Sequence, residues 1–251
     1  MSDWADLMRE LDAWHEGGRC ATFWWRDDDA TRVTLELEHL LDIAAAKATP
    51  VALAVIPSGA DDGLRRHLAS RRLASVLQHG WSHANHAPDG VRQEEFGLHR
   101  PLAIMLDEIV RGWRHITTFA RALPIFVAPW NRMEAHLLSH LGACGLKAVS
   151  TLGPRPVAVA ANSLRQTNVH VDIIDWQGTR GFFGLAPVLD QVISHLRARR
   201  EGRVDAGEPT GLMTHHGFHD AGCWTFIEAI LDHTRAHPAA RWLSAEEAFF
   251  G

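Results

Sequence analysis

Tyrosine is absent from this 251-residue chain, which carries ten tryptophans and ten phenylalanines instead, so indoles and phenyl rings supply all of its large aromatic surface. Cysteine is scarce: Cys20, Cys144 and Cys223 are widely separated, with neither a C-x-x-C spacing nor an even framework. Reduced, buried thiols are expected. No segment approaches the ~20 apolar residues that a membrane span requires, and Met1-Ser2-Asp3-Trp4-Ala5-Asp6 lacks a positive region followed by an apolar stretch. Both point to a cytoplasmic protein. A formal net charge of −5 and a pI near 6.4 argue against nucleic acid as a partner, because phosphate neutralisation needs a clustered cationic face. The short basic run Arg197 to Arg203 reads as the solvated end of a helix. No long linker or low-complexity stretch divides the chain. Residues 1–251 therefore read as one domain, with 1–19 as an N-terminal helical extension, and 46% apolar content suffices for one large core.

Short β-rich runs alternate with longer stretches of helical periodicity. After an amphipathic helix near Trp4 to His15, strands are expected at Cys20 to Arg26, Val51 to Ile56, Ala74 to Gln78, Ile125 to Ala128, Leu146 to Ser150, Val169 to Ile174 and Gly211 to Thr214. Arg241 to Leu243 could add an eighth. Helices are expected over Val33 to Lys47, Asp61 to Arg71, Leu102 to Arg121, Met133 to Ala143, Val188 to Arg199 and Trp224 to Ala236, with Asp220 as a candidate cap for the last. Several strands are apolar throughout, as buried parallel strands should be. The pattern fits an α/β fold, a (β/α) barrel of seven or eight strands whose active groups gather where strands end. An open doubly wound sheet usually has a glycine-rich turn after its first strand; here three aspartates stand there.

Three clusters close apolar runs: Arg26-Asp27-Asp28-Asp29, His79-Gly80-Trp81-Ser82-His83 and Thr214-His215-His216. Adjacent carboxylates repel one another, so they need solvent, a helix start or a cation. His79 and His83 have the i, i+4 spacing that brings two imidazoles to one centre, and Gly80 between them favours a loop. With 17 histidines in the chain, chance pairs at this spacing are expected too. His86 reads as solvent-facing or supporting.

These residues carry a resemblance. The chain resembles the polysaccharide deacetylases of the NodB-homology type, the family 4 carbohydrate esterases, through five ordered segments: Asp28-Asp29, His79 with His83, Ala128-Pro129-Trp130, Asp175-Trp176 and Met213-Thr214-His215. They span residues 23 to 216, and the His-Gly-Trp-Ser-His loop is the most specific of them. The resemblance implies a distorted NodB-type barrel in which Asp29, His79 and His83 hold a divalent ion. Zinc is favoured, with cobalt, nickel or iron as alternatives. It further implies Asp28 as general base, the Trp130 amide at the developing oxyanion, and His215 as the acid that protonates the leaving amine. His216 competes with His215, since adjacent strand residues point to opposite faces. The three-aspartate run equally allows Asp27 and Asp28 to be base and ligand.

Departures accompany the matches. Val127 stands where the family has an arginine that orients the base, Trp130 replaces a tyrosine, and Gly80 replaces a threonine or serine. Arg26 or Arg132 could restore the cation. Trp24, Trp25, Trp81, Trp130 and Trp176 lie within or beside the motifs, where indoles either meet a sugar ring or fill the core; Asp27, Arg26, Pro129, Arg132, Asp175 and His216 complete the candidate surroundings. The expected function is metal-dependent removal of an N-acetyl or related acyl group from an amino sugar, with a small saccharide or acylated amine as substrate. A metal-dependent amidohydrolase of cyclic amides or ureides, and a saccharide-binding module without turnover, are the alternatives.

Overall fold

The computed structural model describes residues 2–251. In chain order the elements are α1 (Trp4–Glu16), β1 (Ala21–Ala30), α2 (Leu35–Ala46), β2 (Val51–Val55), α3 (Asp62–Ser70), β3 (Ala74–His79), α4 (Leu102–Ile116), β4 (Ala122–Val127), α5 (Leu138–Leu141), β5 (Ala148–Ser150), β6 (Arg165–Gln166), β7 (Val171–Asp172), α6 (Leu185–Arg200), β8 (Thr210–Thr214), α7 (Ala221–Arg235), β9 (Ala240–Leu243) and α8 (Ala245–Phe250). All the strands run parallel, in the order β6-β5-β4-β3-β2-β1-β8-β7, with β9 also paired to β1. The stretch 165–172 pairs with β5 through its first half and with β8 through its second, bridged by Leu152 and Val169. One length of chain thus joins the two ends of the curled sheet. The result is a distorted (β/α) barrel of the NodB type.

Alternation along β1 decides what faces where. Trp24 packs with Ala52, Ala54, Leu77, Ile125, Val127, Val169 and Met213 inside the sheet. Phe23 and Trp25 pack outward against Leu37 and Leu40 of α2 and Ile227 of α7. Ala245 and Phe249 of α8 belong to the inner cluster, and Phe249 meets Trp24 edge-on with centroids 5.2 Å apart, so the terminal helix plugs the base. The opposite mouth is where the strands end.

Several boundaries differ from expectation for physical reasons. Strand β1 continues to Ala30, so the three aspartates lie in the strand rather than in a turn. They cap no helix: Thr34 caps α2, accepting the Leu37 amide at 3.1 Å. Helix α4 stops at Ile116, where the Thr117 and Thr118 hydroxyls donate back to the Arg114 and His115 carbonyls and compete with further helix. The helix expected over Met133 to Ala143 is broken into a 3-10 turn (Ala135–Leu137) and the four-residue α5. Strand β6 escaped the pattern because Arg165-Gln166 is a polar pair. Cys144 and Cys223 are buried free thiols, whereas Cys20 is exposed. No helix among the described residues is long and apolar enough to cross a membrane.

Candidate metal centre

Two strand ends and a loop meet at the mouth of the barrel. Asp29 stands near the end of β1, His79 is the last residue of β3, and His83 returns from the loop that follows. His79 Nε2 lies 3.2 Å and His83 Nε2 3.4 Å from Asp29 Oδ1. All three ligand atoms fall within 4.8 Å of one another. Asp29 Oδ1 and His79 Nε2 are buried without a hydrogen-bond partner, a costly state for polar atoms unless something else satisfies them. His79 Nδ1 faces the Val127 carbonyl at 3.2 Å, so this nitrogen donates and Nε2 keeps its lone pair. That is how a ligating histidine is oriented. Two imidazoles and a carboxylate are therefore a set that fits a divalent cation.

Burial alone would push the Asp29 carboxyl up, but the close approach of the His79 ring and the charges of His79, His215 and His83 outweigh it and hold the group well below the usual carboxylate range. Burial and the neighbouring charge of His79 press His83 down to about 4. Asp29 (φ 73°), His83 (φ 55°), Trp130 (φ 51°) and Asn131 (φ 56°) all adopt left-handed backbone. Such residues concentrate where surrounding structure holds a working geometry in place.

Inside the barrel Arg26 grips Asp28. Its Nε lies 2.8 Å from Asp28 Oδ1, and its Nη2 donates to Asp28 Oδ2 at 2.8 Å, both side chains being at most 2% exposed. The guanidinium also donates to Ser150 Oγ at 2.8 Å and Asn131 Oδ1 at 2.7 Å. Arg26 thus supplies a cation to Asp28 from the same strand, two residues away, whereas Arg132 donates to the Gln93 carbonyl. Asp28 Oδ2 is 3.9 Å from His215 Nε2.

Asp27, one position along, points the other way. It is fully buried and accepts from Thr214 Oγ1 at 2.7 Å, the His216 amide at 3.0 Å and His216 Nδ1 at 2.5 Å. Burial opposes ionisation of Asp27, yet the His216 charge and hydrogen bond keep its pKa lowered. The pair His215 and His216 therefore divides, one facing Asp28 and the other held by Asp27.

Other expected groups fall less evenly. Trp130 lies against His83, with ring centroids 4.1 Å apart. Pro129 is buried in the same 3-10 turn. Trp81 packs beside the α4 cluster beneath Arg111, whose guanidinium carbon is 4.8 Å from the ring centroid. Trp176 is 39% exposed and stands edge-on to His215 at 4.8 Å and to Phe218 at 5.0 Å. Trp25 is a correction: it is 1% exposed, faces the helices, and donates to Thr214 Oγ1 at 2.9 Å. The phase of β1 sends it away from the mouth. Asp175 only caps its own turn, accepting from the amides of Gly178 and Thr179. The carboxylate beside His215 and Trp176 is instead Asp172, which accepts Trp176 Nε1–H at 2.7 Å. Burial raises its pKa, and the His215 charge partly opposes that rise. In the sequence Asp172, shortly before Asp175, reads only as structural, and nothing marks Asn131 or Ser150; the one signal for Asp172 was its position on an apolar strand expected to end at the mouth.

No protein-family model matches the chain, and no curated protein matches it either. Solved structures do. A Mycobacterium smegmatis protein, provisionally assigned as a polysaccharide deacetylase, superposes with a TM-score of 0.68 at 16% identity, covering 92% of this chain and 88% of that one. The chitin deacetylase of Colletotrichum lindemuthianum gives 0.57 at 13% identity over 92% and 88%. A family 4 acetyl xylan esterase from Clostridium thermocellum, solved with a cobalt ion, gives 0.52 at 13% over 91% and 90%. The chain thus has the fold of the polysaccharide deacetylases.

Proposed function

We propose that this chain is a metal-dependent hydrolase that removes an N-acetyl or related acyl group from an amino-sugar-containing substrate. The observation that carries the reading is the convergence of Asp29, His79 and His83 on one point, with buried, unpartnered ligand atoms, beside an arginine-held aspartate and a histidine. Asp29, His79 and His83 would hold the ion, and the two-imidazole, one-carboxylate donor set suits zinc, with cobalt, nickel and iron as chemical alternatives. When bound, such an ion polarises the acyl carbonyl and lowers the pKa of water toward ~7.

The remaining work falls to the chain. Asp28 takes the proton of the attacking water, and Arg26 holds that carboxylate in place. The Trp130 amide donates to the developing oxyanion. His215 delivers a proton to the departing amine, with Trp176 and Asp172 fixing its surroundings. Half-exposed Trp176 and Phe218 offer flat apolar faces to a sugar ring, while the net negative chain suits no nucleic acid.

Acetate release from a panel of acetylated amino sugars, alongside cyclic amides and ureides, tests the reading with and without added zinc, cobalt or nickel. Release from the sugars alone, lost on chelation, supports it. Folded, metal-loaded protein that releases nothing sinks it.

A further inference from the structure

After His79 the chain must reverse within four residues to bring His83 back beside it. Gly80 and His83, both at φ 55°, make the reversal. The backbone of this turn is pinned almost completely: the Gly80 amide donates to the Val127 carbonyl at 3.1 Å, the Gly80 carbonyl accepts Gln78 Nε2 at 3.0 Å, and the Trp81 carbonyl accepts the Ser58 amide at 2.9 Å. Two successive amides remain, and both converge on one carboxylate. Glu95 accepts the Trp81 amide through Oε2 at 3.2 Å, and the Ser82 amide and hydroxyl through Oε1 at 2.7 and 3.0 Å.

Glu95 is fully buried, and hydrogen bonds rather than a cation satisfy its carboxylate. Paired backbone amides are an anion-binding concavity, here filled by a side chain from a distant loop. That loop is itself tied down: Arg100 donates to the Glu95 carbonyl at 3.0 Å and makes a double hydrogen bond to Glu108 of α4 at 2.9 Å. A methyl group on Gly80 would sit 2.2 Å from Glu95 Oε2 and 2.4 Å from Pro129 Cγ. The glycine is required by the carboxylate's approach as well as by its φ.

We propose that Glu95 is a positioning residue for the cation site: it clamps the 80–82 turn so that His83 Nε2 is aimed at Asp29 and His79 before any ion arrives. The proposal rests on the metal-centre reading above. Zinc titration calorimetry and the cobalt d–d spectrum test it on Glu95→Gln, Glu95→Asp and a His79→Ala control. Glutamine turns its NH2 toward one of the two amides, and aspartate is one methylene short of spanning both. Each is expected to weaken zinc binding by about 10- to 100-fold, the range of supporting residues around metal ligands, and to change the cobalt spectrum. Glu95→Asp decides the matter where Glu95→Gln fails to accumulate as folded protein. A lowered melting temperature with unchanged affinity and spectrum would mean that Glu95 is merely structural, and overturns the proposal. Loss of binding in His79→Ala with wild-type binding in both Glu95 variants overturns the clamp alone. Wild-type binding in His79→Ala overturns the metal reading and the clamp together.

Discussion

The barrel holds two clusters made of the same parts. Asp29, His79 and His83 sit at the mouth, while His170, His195 and Glu208 lie near the start of β8, and in each cluster the candidate ligand atoms are within 4.8 Å of one another. What differs is the partner of the second ring nitrogen. His79 Nδ1 faces a carbonyl, which leaves its Nε2 a lone pair. His170 Nδ1 instead accepts the Gly211 amide at 3.0 Å, which places the proton on Nε2, 3.3 Å from Glu208 Oε2. Glu208 already accepts the amides of Asn168 and Arg155, both at 2.8 Å, and the charges of Arg155 and Arg199 act on His170. The mouth cluster is partly open, with Asp29 31% and His83 20% exposed. Two imidazoles and a carboxylate are thus presented differently in the two clusters, and the comparison turns on the group that fixes the tautomer.

The comparison breaks first if the wrong cluster binds. His79→Ala is expected to abolish zinc binding and turnover, whereas His170→Asn should retain one zinc per chain, both read by calorimetry. Asp28→Asn separates binding from chemistry. It should keep zinc affinity while kcat/KM falls ~10² to 10⁴-fold, the worth of a general base, as measured by acetate release. Arg26→Met should destabilise the fold by about 3–5 kcal/mol in urea unfolding, because Asp28 is left buried and unpaired. Arg26→Met with Asp28→Asn should recover much of that loss.

The smallest effect probes the lower cluster by pH. Burial, with the charges of His170 and Arg199, holds His195 down at about 2 in the folded chain against 6.5 for a free imidazole. The unfolded chain therefore binds the proton more readily as pH falls below 6.5, and stability present in full above that pH is lost on acidification. The slope should approach about 1.4 kcal/mol per pH unit for this one group. Urea unfolding at pH 7.5 and 5.5 should show that slope reduced in His195→Leu; an unchanged slope counts against the assignment.

Much of the mouth was legible in the residues themselves. His79 and His83 announce themselves by spacing and by Gly80, and the three-aspartate run by closing an apolar segment, although the choice of Asp28-Asp29 within it came from the resemblance. The barrel follows from seven apolar segments separated by helical periods. Less legible was the phase of β1. Trp24 and Trp25 look interchangeable in sequence, yet only the first lies inside the sheet and neither meets the mouth. The resemblance favoured Asp175 beside Trp176, but a carboxylate within reach of the amides two to four residues ahead caps its own turn, and Asp172 took the place at His215. Glu95 gave no signal at all, since it lies in a polar stretch without period.

The sequence by itself determined which residue types could hold a cation and where strands would stop, because periodicity and motif spacing are local properties of the chain. Only the tertiary structure decided which aspartate Arg26 grips, which of His215 and His216 faces inward, and which histidine keeps a free lone pair. Those outcomes depend on sheet phase and on hydrogen-bond partners that, but for Arg26 and Asp28, are contributed by distant strands and loops.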